Sequence, residues 1–262
     1  MDFLEDLNYY FYEFADPRVR DRFVLGSIWF PILTILIYLY ISFKIIPDFM
    51  KNRPAYKLNT YIKCYNIFQV ITNAYIVKEL LKCYPFNIIH ICRPMNYGTD
   101  ECSMRIMEMC IMTIGLKLID LTETGVYLLR KKTSQVSGLH LYHHISTFIF
   151  GFMFLRFFTS EVAMLFPILN CGVHVIMYFY YFLSNFEGPI KQMIIPFKRY
   201  LTLIQMAQFT IMLIQVAFYM LQDCGISKIL LGVTFLNVSI NFWLFFQFYQ
   251  KTYINPKKKK IN

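Results

Sequence analysis

The chain has 262 residues, of which 57% are hydrophobic and 19% aromatic but only 16% charged, and its mean hydropathy is positive. Ordinary soluble domains intersperse far more charge among their apolar residues, so that class is excluded. A formal net charge of +10 would suit a nucleic-acid binder, but the basic residues follow a membrane topology instead, and no nucleic-acid partner is expected.

A bilayer crossing needs roughly 20 apolar residues. Runs of that length occur at about 25–46, 60–81, 103–129, 139–158, 161–184, 200–221 and 229–250. They predict an all-α integral membrane protein with seven transmembrane helices. The connections are too short for a soluble domain and hold no Gly/Ser-rich or Pro-rich linker, so residues 1–262 read as a single membrane domain. Ahead of the first run, MDFLEDLNYYFYEF is acidic and aromatic rather than basic and then apolar. No cleaved signal peptide is expected, and the first run should itself direct insertion.

Lysine and arginine concentrate on one side of this scheme. Lys44, Lys51, Arg53, Lys57 and Lys63 flank the first connection, and Arg130, Lys131 and Lys132 follow the third run. Lys191, Lys198 and Arg199 precede the sixth, and Lys251 with Lys257, Lys258, Lys259 and Lys260 follow the seventh. The opposite loops and ends carry only Arg18, Arg20, Arg22, Lys82, Arg93, Arg156 and Lys228. Positive-inside counting then puts the N-terminus in the lumen and the C-terminus in the cytosol. The closing KKIN resembles a dilysine signal at Lys259 and Lys260, which implies residence in the endoplasmic reticulum membrane. The plainer reading is a basic cluster that binds lipid headgroups. On this topology Cys92 and Cys224 fall in lumenal loops, where disulfides persist, and they are expected to pair, although Cys83 and Cys102 lie near the same surface. Seven cysteines without a CxxC pair do not indicate a zinc site.

Strongly polar groups within membrane segments are expensive and point to function. The third run contains KLIDLTETGVYLLRKK, in which Lys117, Asp120 and Thr124 share a helical face and Glu123 lies beside it. The fourth opens on LHLYHH, which sets His140, His143 and His144 on one face. The fifth holds NCGVHVIMYFYY, aligning Asn170, His174, Tyr178 and Tyr181, and the sixth begins YLTLIQMAQF, aligning Thr202, Gln205 and Gln208. At about 1.5 Å of rise per residue, these stripes are expected at one level, between the cytosolic interface and the midplane. Interhelical polar glue is a poor account of four histidines, two carboxylates and a lysine at one depth. The remaining His90 belongs to a lumenal loop.

Helical spacing lets His140 hold a metal ion together with His143 or His144. The HxxHH string also resembles one histidine box of the membrane diiron desaturases and hydroxylases, which need several boxes. Here there is one box and His174, too few ligands for a diiron site. A mononuclear site of His140, His144, Asp120 and Glu123 stays open, with Lys117 a poor neighbour for a cation. Nucleophilic chemistry fits better. An imidazole can attack a thioester to give an acyl-imidazole, a second histidine can manage protons, and a carboxylate can fix its tautomer. Cys110 and Cys171 lie in apolar helices, where thiols are inert.

Taken together these residues resemble the very-long-chain fatty acid elongases, the membrane 3-oxoacyl-CoA synthases. The resemblance runs from DPRVRDRFVLGS through MKNRPAYKL, TETGVYLLRKK, HLYHH, NCGVHVIMYFYY and YLTLIQMAQF to FFQFYQKTY. HxxHH alone is moderately specific; followed in order by NxxxHxxMYxYY and TxxQxxQ it is very specific. One departure stands out: the family's usual acids before the Thr are exchanged, here Asp120 and Glu123.

The resemblance implies condensation of a long-chain acyl-CoA with malonyl-CoA to a 3-oxoacyl-CoA two carbons longer, releasing carbon dioxide and CoA by a ping-pong route. His143 would carry the acyl group. His174 and His144 would handle protons and position malonyl, and His140, Asp120 and Glu123 would orient them. Lys117, Thr124, Asn170, Tyr178, Tyr181, Gln205 and Gln208 would contact substrate. Arg130, Lys131, Lys132, Lys198 and Arg199, on the cytosolic rim with Lys191, would meet the CoA phosphates. The helices would enclose an acyl-chain tunnel, with no metal and no cofactor beyond the two co-substrates. Partners would be the bilayer, the reductases and dehydratase of the elongation cycle, and a second copy of the chain. A seven-helix lipid receptor or transporter and a metal-dependent membrane lipid oxidase are the competing expectations.

Overall fold

The computed structural model describes residues 11–13, 15–22, 24–83, 97–157, 164–222 and 226–255. Among them the regular structure is helical throughout, without a strand. After a one-turn helix, Pro17–Arg20, come α1 (Trp29–Tyr40), α2 (Asn59–Leu81), α3 (Glu101–Asp120) and α4 (Thr122–Leu129). They are followed by α5 (Gly138–Phe157), α6 (Leu165–Ser184), α7 (Pro189–Ile194), α8 (Lys198–Leu221) and α9 (Lys228–Tyr249). A π turn, Ile41–Ile45, and a short helical piece, Ile46–Met50, prolong α1. The π turn lies just ahead of Pro47, whose missing N–H and bulky ring an unbroken α-helix does not tolerate.

Four helical stretches are long and apolar enough to cross a membrane: Trp29–Met50, Leu165–Ser184, Pro189–Leu221 and Lys228–Ile254. The expected crossings at 60–81, 103–129 and 139–158 do form long helices, but these carry the Asn/Gln, Lys/Asp/Glu and His residues that dilute apolar character. The expected helix 103–129 is two helices rather than one. It breaks at Leu121, where the Thr122 hydroxyl donates to the Ile119 carbonyl at 2.7 Å. A hydroxyl bonded back into the preceding turn competes with the backbone ladder and bends a helix.

The chain divides into two compact units. Unit 1 comprises 1–58 and 76–167 and unit 2 comprises 59–75 and 168–262, so α2 contributes its two ends to different units. In unit 1, Val19, Met107, Ile114, Phe148 and Leu155 form an apolar core, with Phe30, Ile35 and Cys110 packed against it. Gly151 lets α5 approach α3, since a Cβ there would lie 2.6 Å from Ile114 Cδ1. Arg156 is fully buried, and its guanidinium donates to the carbonyls of Phe11 (2.9 and 3.1 Å) and Leu25 (2.9 Å). It thereby pins the segment ahead of α1 to α5. Asp16 caps the Pro17–Arg20 turn and pairs with Arg18 at 2.6 Å, so the acidic and basic residues of DPRVR serve the fold.

At the same end of unit 1, where Arg18 also donates to the Ser103 carbonyl at 3.1 Å, Glu79 meets Lys82 and Arg105, and Arg105 meets Glu101, each at 2.6 Å. Beside them Cys83 and Cys102 form a disulfide. The expected pairing of Cys92 with Cys224, and the dilysine pair Lys259 and Lys260, lie outside the described residues. In unit 2, α8 and α9 pack along much of their lengths, with Phe209 against Phe245 at 5.2 Å between ring centroids.

Candidate active site

Unit 1 assembles a polar cluster from three stretches of chain. Asp120, the last residue of α3, is buried and accepts a hydrogen bond from Lys117 Nζ at 3.1 Å across one helical turn. Past the break at Leu121, Glu123 turns to a different partner: its Oε2 lies 3.6 Å from His144 Nε2. The two acids that sequence reading treated as a pair therefore face different partners, a lysine and a histidine.

HLYHH occupies the first turns of α5. Its spacing brings the His140 ring against His144, tilted and with centroids 4.1 Å apart, and sets His143 edge-on to His144 at 5.7 Å. His144 is buried, and His140 and His143 are half-buried. The Tyr127 ring contacts His140 edge-on at 5.3 Å, and the Thr147 hydroxyl donates to the His143 carbonyl at 2.7 Å. Thr124 is wholly buried, its hydroxyl 2.8 Å from His140 Nε2 and 2.7 Å from the Tyr38 hydroxyl. Sequence reading missed Tyr38, because one tyrosine in the aromatic run YLYISF carries no spacing signal.

Ligand atoms of Glu123, His140 and His144 lie within 4.8 Å of one another, close enough to share a metal ion. Asp120, which sequence reading kept as a fourth candidate ligand, pairs with Lys117 instead.

Of the basic residues, Arg130, Lys131 and Lys132 close α4. Lys131 adopts a left-handed conformation (φ 54°), with its N–H bonded to Leu128 O at 2.9 Å and that of Lys132 to Tyr127 O at 2.8 Å. This is a Schellman cap with lysine where glycine is usual. The following side chains, Lys131 and Lys132, are exposed. The cap also sits near the chain leaving α1, since Tyr56 N donates to Leu129 O at 3.0 Å.

Unit 2 carries the second half of the expected residues. On α6, His174 and Tyr178 are buried, Tyr181 is exposed, and the Tyr178 ring stands edge-on to His174 at 5.5 Å and to Tyr181 at 6.3 Å. Asn170 has a buried amide oxygen without a hydrogen-bond partner among the described residues. On α8, Gln205 donates to Met177 Sδ at 3.4 Å and Gln208 to Met212 Sδ at 3.9 Å. Lys191 and Lys198 are exposed, and Arg199 donates to the Tyr249 hydroxyl at 2.9 Å.

Within unit 2, α2 adds a stripe that sequence reading overlooked. Asn73 donates to Gln69 Oε1 at 2.9 Å, Gln69 donates to the Tyr65 hydroxyl at 2.9 Å, and the Tyr65 ring meets Tyr178 edge-on at 5.8 Å. Asn66, Gln69 and Asn73 are buried and spaced i, i+3, i+7, the same signal that exposed the other stripes.

Apolar helices of membrane-crossing length and a histidine cluster with Glu123 beside it define the class, a multi-pass membrane protein with a polar site inside a helical unit. Residues 23–261 match the model of ELO, the GNS1/SUR4 family. Very long chain fatty acid elongase 4 of Mus musculus is 32% identical over 248 residues, covering 94% of this chain and 78% of the relative. Very long chain fatty acid elongase F of Drosophila melanogaster is 33% identical over 248 residues, covering 90% and 93%. Very long chain fatty acid elongase 1 of Homo sapiens is 28% identical over 247 residues, covering 93% and 88%. The chain belongs to the ELO family.

Proposed function

We propose that this protein is the condensing enzyme of fatty acid elongation, a 3-oxoacyl-CoA synthase acting on long-chain acyl-CoA and malonyl-CoA. The observation that carries the reading is the HxxHH cluster of unit 1, with Glu123 beside His144 and Thr124 bonded to His140, in a chain of a family whose relatives are named as elongases.

In the first half-reaction a ring nitrogen of His143 attacks the acyl thioester. A C–N bond forms, the C–S bond breaks, and the ring proton leaves with CoA as the thiol. In the second, malonyl-CoA loses carbon dioxide, and its α-carbon attacks the acyl-imidazole carbonyl. This gives the 3-oxoacyl-CoA and releases His143, which takes up one proton from solvent to replace the one lost with CoA. Protons pass through His144, whose Nε2 lies 3.6 Å from Glu123 Oε2. His140, Thr124, Lys117 and Asp120 hold this arrangement. In unit 2, His174 with Asn170, Tyr178, Tyr181, Gln205 and Gln208 serves the malonyl half-reaction, and Arg130, Lys131, Lys132, Lys198 and Arg199 meet CoA phosphates. The reaction balances without a metal or redox cofactor.

We further propose that all seven long helical stretches cross the membrane of the endoplasmic reticulum, with the N-terminus lumenal, the C-terminus cytosolic and the acyl chain in a tunnel. The basic asymmetry of the loops supports the orientation, and a disulfide between Cys83 and Cys102 fits a lumenal location. Incubating purified protein with an acyl-CoA and malonyl-CoA labelled at C2 tests the function. Label in a 3-oxoacyl product two carbons longer supports it, and binding of acyl-CoA without such product refutes it in favour of a receptor or transporter.

The approach of Glu123, His140 and His144 favours one second reading, a metal-dependent lipid oxidase. Stoichiometric iron and loss of turnover on chelation would establish that reading and remove the first.

A further inference from the structure

Three groups form a chain of hydrogen bonds from α1 to the histidine box. The Tyr38 hydroxyl lies 2.7 Å from Thr124 Oγ1, and Thr124 Oγ1 lies 2.8 Å from His140 Nε2. Tyr38 and Thr124 are 7% and 0% exposed, so water cannot readily satisfy either hydroxyl. Each hydroxyl has one proton to give. Among the described residues, Thr124 Oγ1 is the hydrogen-bond partner of the Tyr38 hydroxyl. If Thr124 donated toward Tyr38, the tyrosine proton would be buried without an acceptor, at a cost of about 1–3 kcal/mol. The satisfied direction is Tyr38 to Thr124 and Thr124 to His140 Nε2. An imidazole nitrogen that accepts carries no proton, so the neutral ring must carry its proton on Nδ1.

Resting on the acyl-transfer reading above, we propose that Tyr38 is a positioning residue of this site: acting through Thr124, it holds His140 as the Nδ1–H tautomer in a fixed ring orientation. The effect reaches the box by contact, because the His140 ring lies tilted against His144 with centroids 4.1 Å apart, and His144 in turn meets His143 edge-on. His140 is the ring fixed as an acceptor, and His144 is the ring that faces a carboxylate, Glu123. Displacing a reacting group by about 1 Å can cost on the order of 100-fold in rate, so a ring orientation held by two hydroxyls is worth measuring.

The test combines a spectroscopic signature with kinetics. Full-length protein labelled with [15N]histidine is studied in lipid nanodiscs, and the His140 resonances are assigned by their loss in His140→Gln. The expected spectrum has a protonated Nδ1 and a bare, accepting Nε2, and Tyr38→Phe broadens or shifts that pattern. Acyl-protein formation from acyl-CoA alone should fall about tenfold or more in Tyr38→Phe and in Thr124→Val. It should fall no further in the double variant, and Thr124→Ser, which restores the hydroxyl, should recover most of the rate that Thr124→Val loses. A His140 protonated on Nε2 overturns the proposal, as do wild-type rates in both single variants or losses that multiply in the double variant. Should Tyr38→Phe fail to fold, the wild-type spectrum and the Thr124 pair decide. If the wild-type protein takes up no acyl group, the acyl-transfer reading fails, while the tautomer is still read from the spectrum.

Discussion

Asp120 and Glu123 are three residues apart, yet one meets a lysine and the other a histidine. The break at Leu121 separates their tasks, and substitution should do the same. Asp120→Asn leaves the Lys117 charge buried without its carboxylate, and the main loss should be folding stability, about 3 kcal/mol, seen as a lower unfolding temperature. Glu123→Gln keeps the shape and removes the charge beside His144, so the fold should survive while acyl-protein formation drops on the order of 100-fold. Arg156 makes a third residue-scale case. Its replacement by Met strands the buried carbonyls of Phe11 and Leu25, and should cost about 2–5 kcal/mol of stability without altering the substrate KM of protein that does fold.

Helix ends and breaks were the elements least open to sequence reading. Hydropathy located the long helices of the described residues to within a few positions, because a continuous apolar run needs no partner to be recognised. It could not find the Leu121 break, which depends on a hydroxyl bonding back to the preceding turn, nor the π turn ahead of Pro47. The Asn66–Gln69–Asn73 stripe was legible by the spacing rule applied elsewhere and was missed because α2 holds no histidine or acid on that face. Tyr38 was not legible at all, since its role depends on which helix packs beside α4.

Two caps allow tests at this scale. Lys131 pays the usual cost of a side chain in the left-handed region, so Lys131→Gly should stabilise the protein by about 1 kcal/mol while weakening CoA affinity if its ammonium meets phosphate. At the start of α3, Asp100 accepts from the Ser103 amide at 3.0 Å and hydroxyl at 2.6 Å, and these bonds hold its carboxyl below the usual carboxylate range. A depressed value contributes stability that is present above the ordinary carboxylate range and lost as pH falls through the depressed one. The unfolding temperatures of wild type and Asp100→Asn should therefore differ near neutral pH and converge in acid.

For the whole molecule, charge bias, hydropathy and the ordered motifs conveyed class and family before any coordinate, because they are properties of segments. Pairings across distant chain were harder. Cysteines near one predicted surface could be grouped, but the bonded pair, Cys83 with Cys102, depends on how the end of α2 meets the start of α3. Maleimide labelling without reductant should leave Cys83 and Cys102 unmodified and reach the exposed Cys64. The central claim is that a histidine of HLYHH carries the acyl group between the two half-reactions, and one measurement addresses it most directly: the intact mass of purified protein exposed to acyl-CoA in the absence of malonyl-CoA, followed by peptide mapping. The account predicts one added acyl mass on His143, absent in His143→Ala and discharged by malonyl-CoA. An acyl mass on another residue, or undiminished loading of His143→Ala, would contradict it.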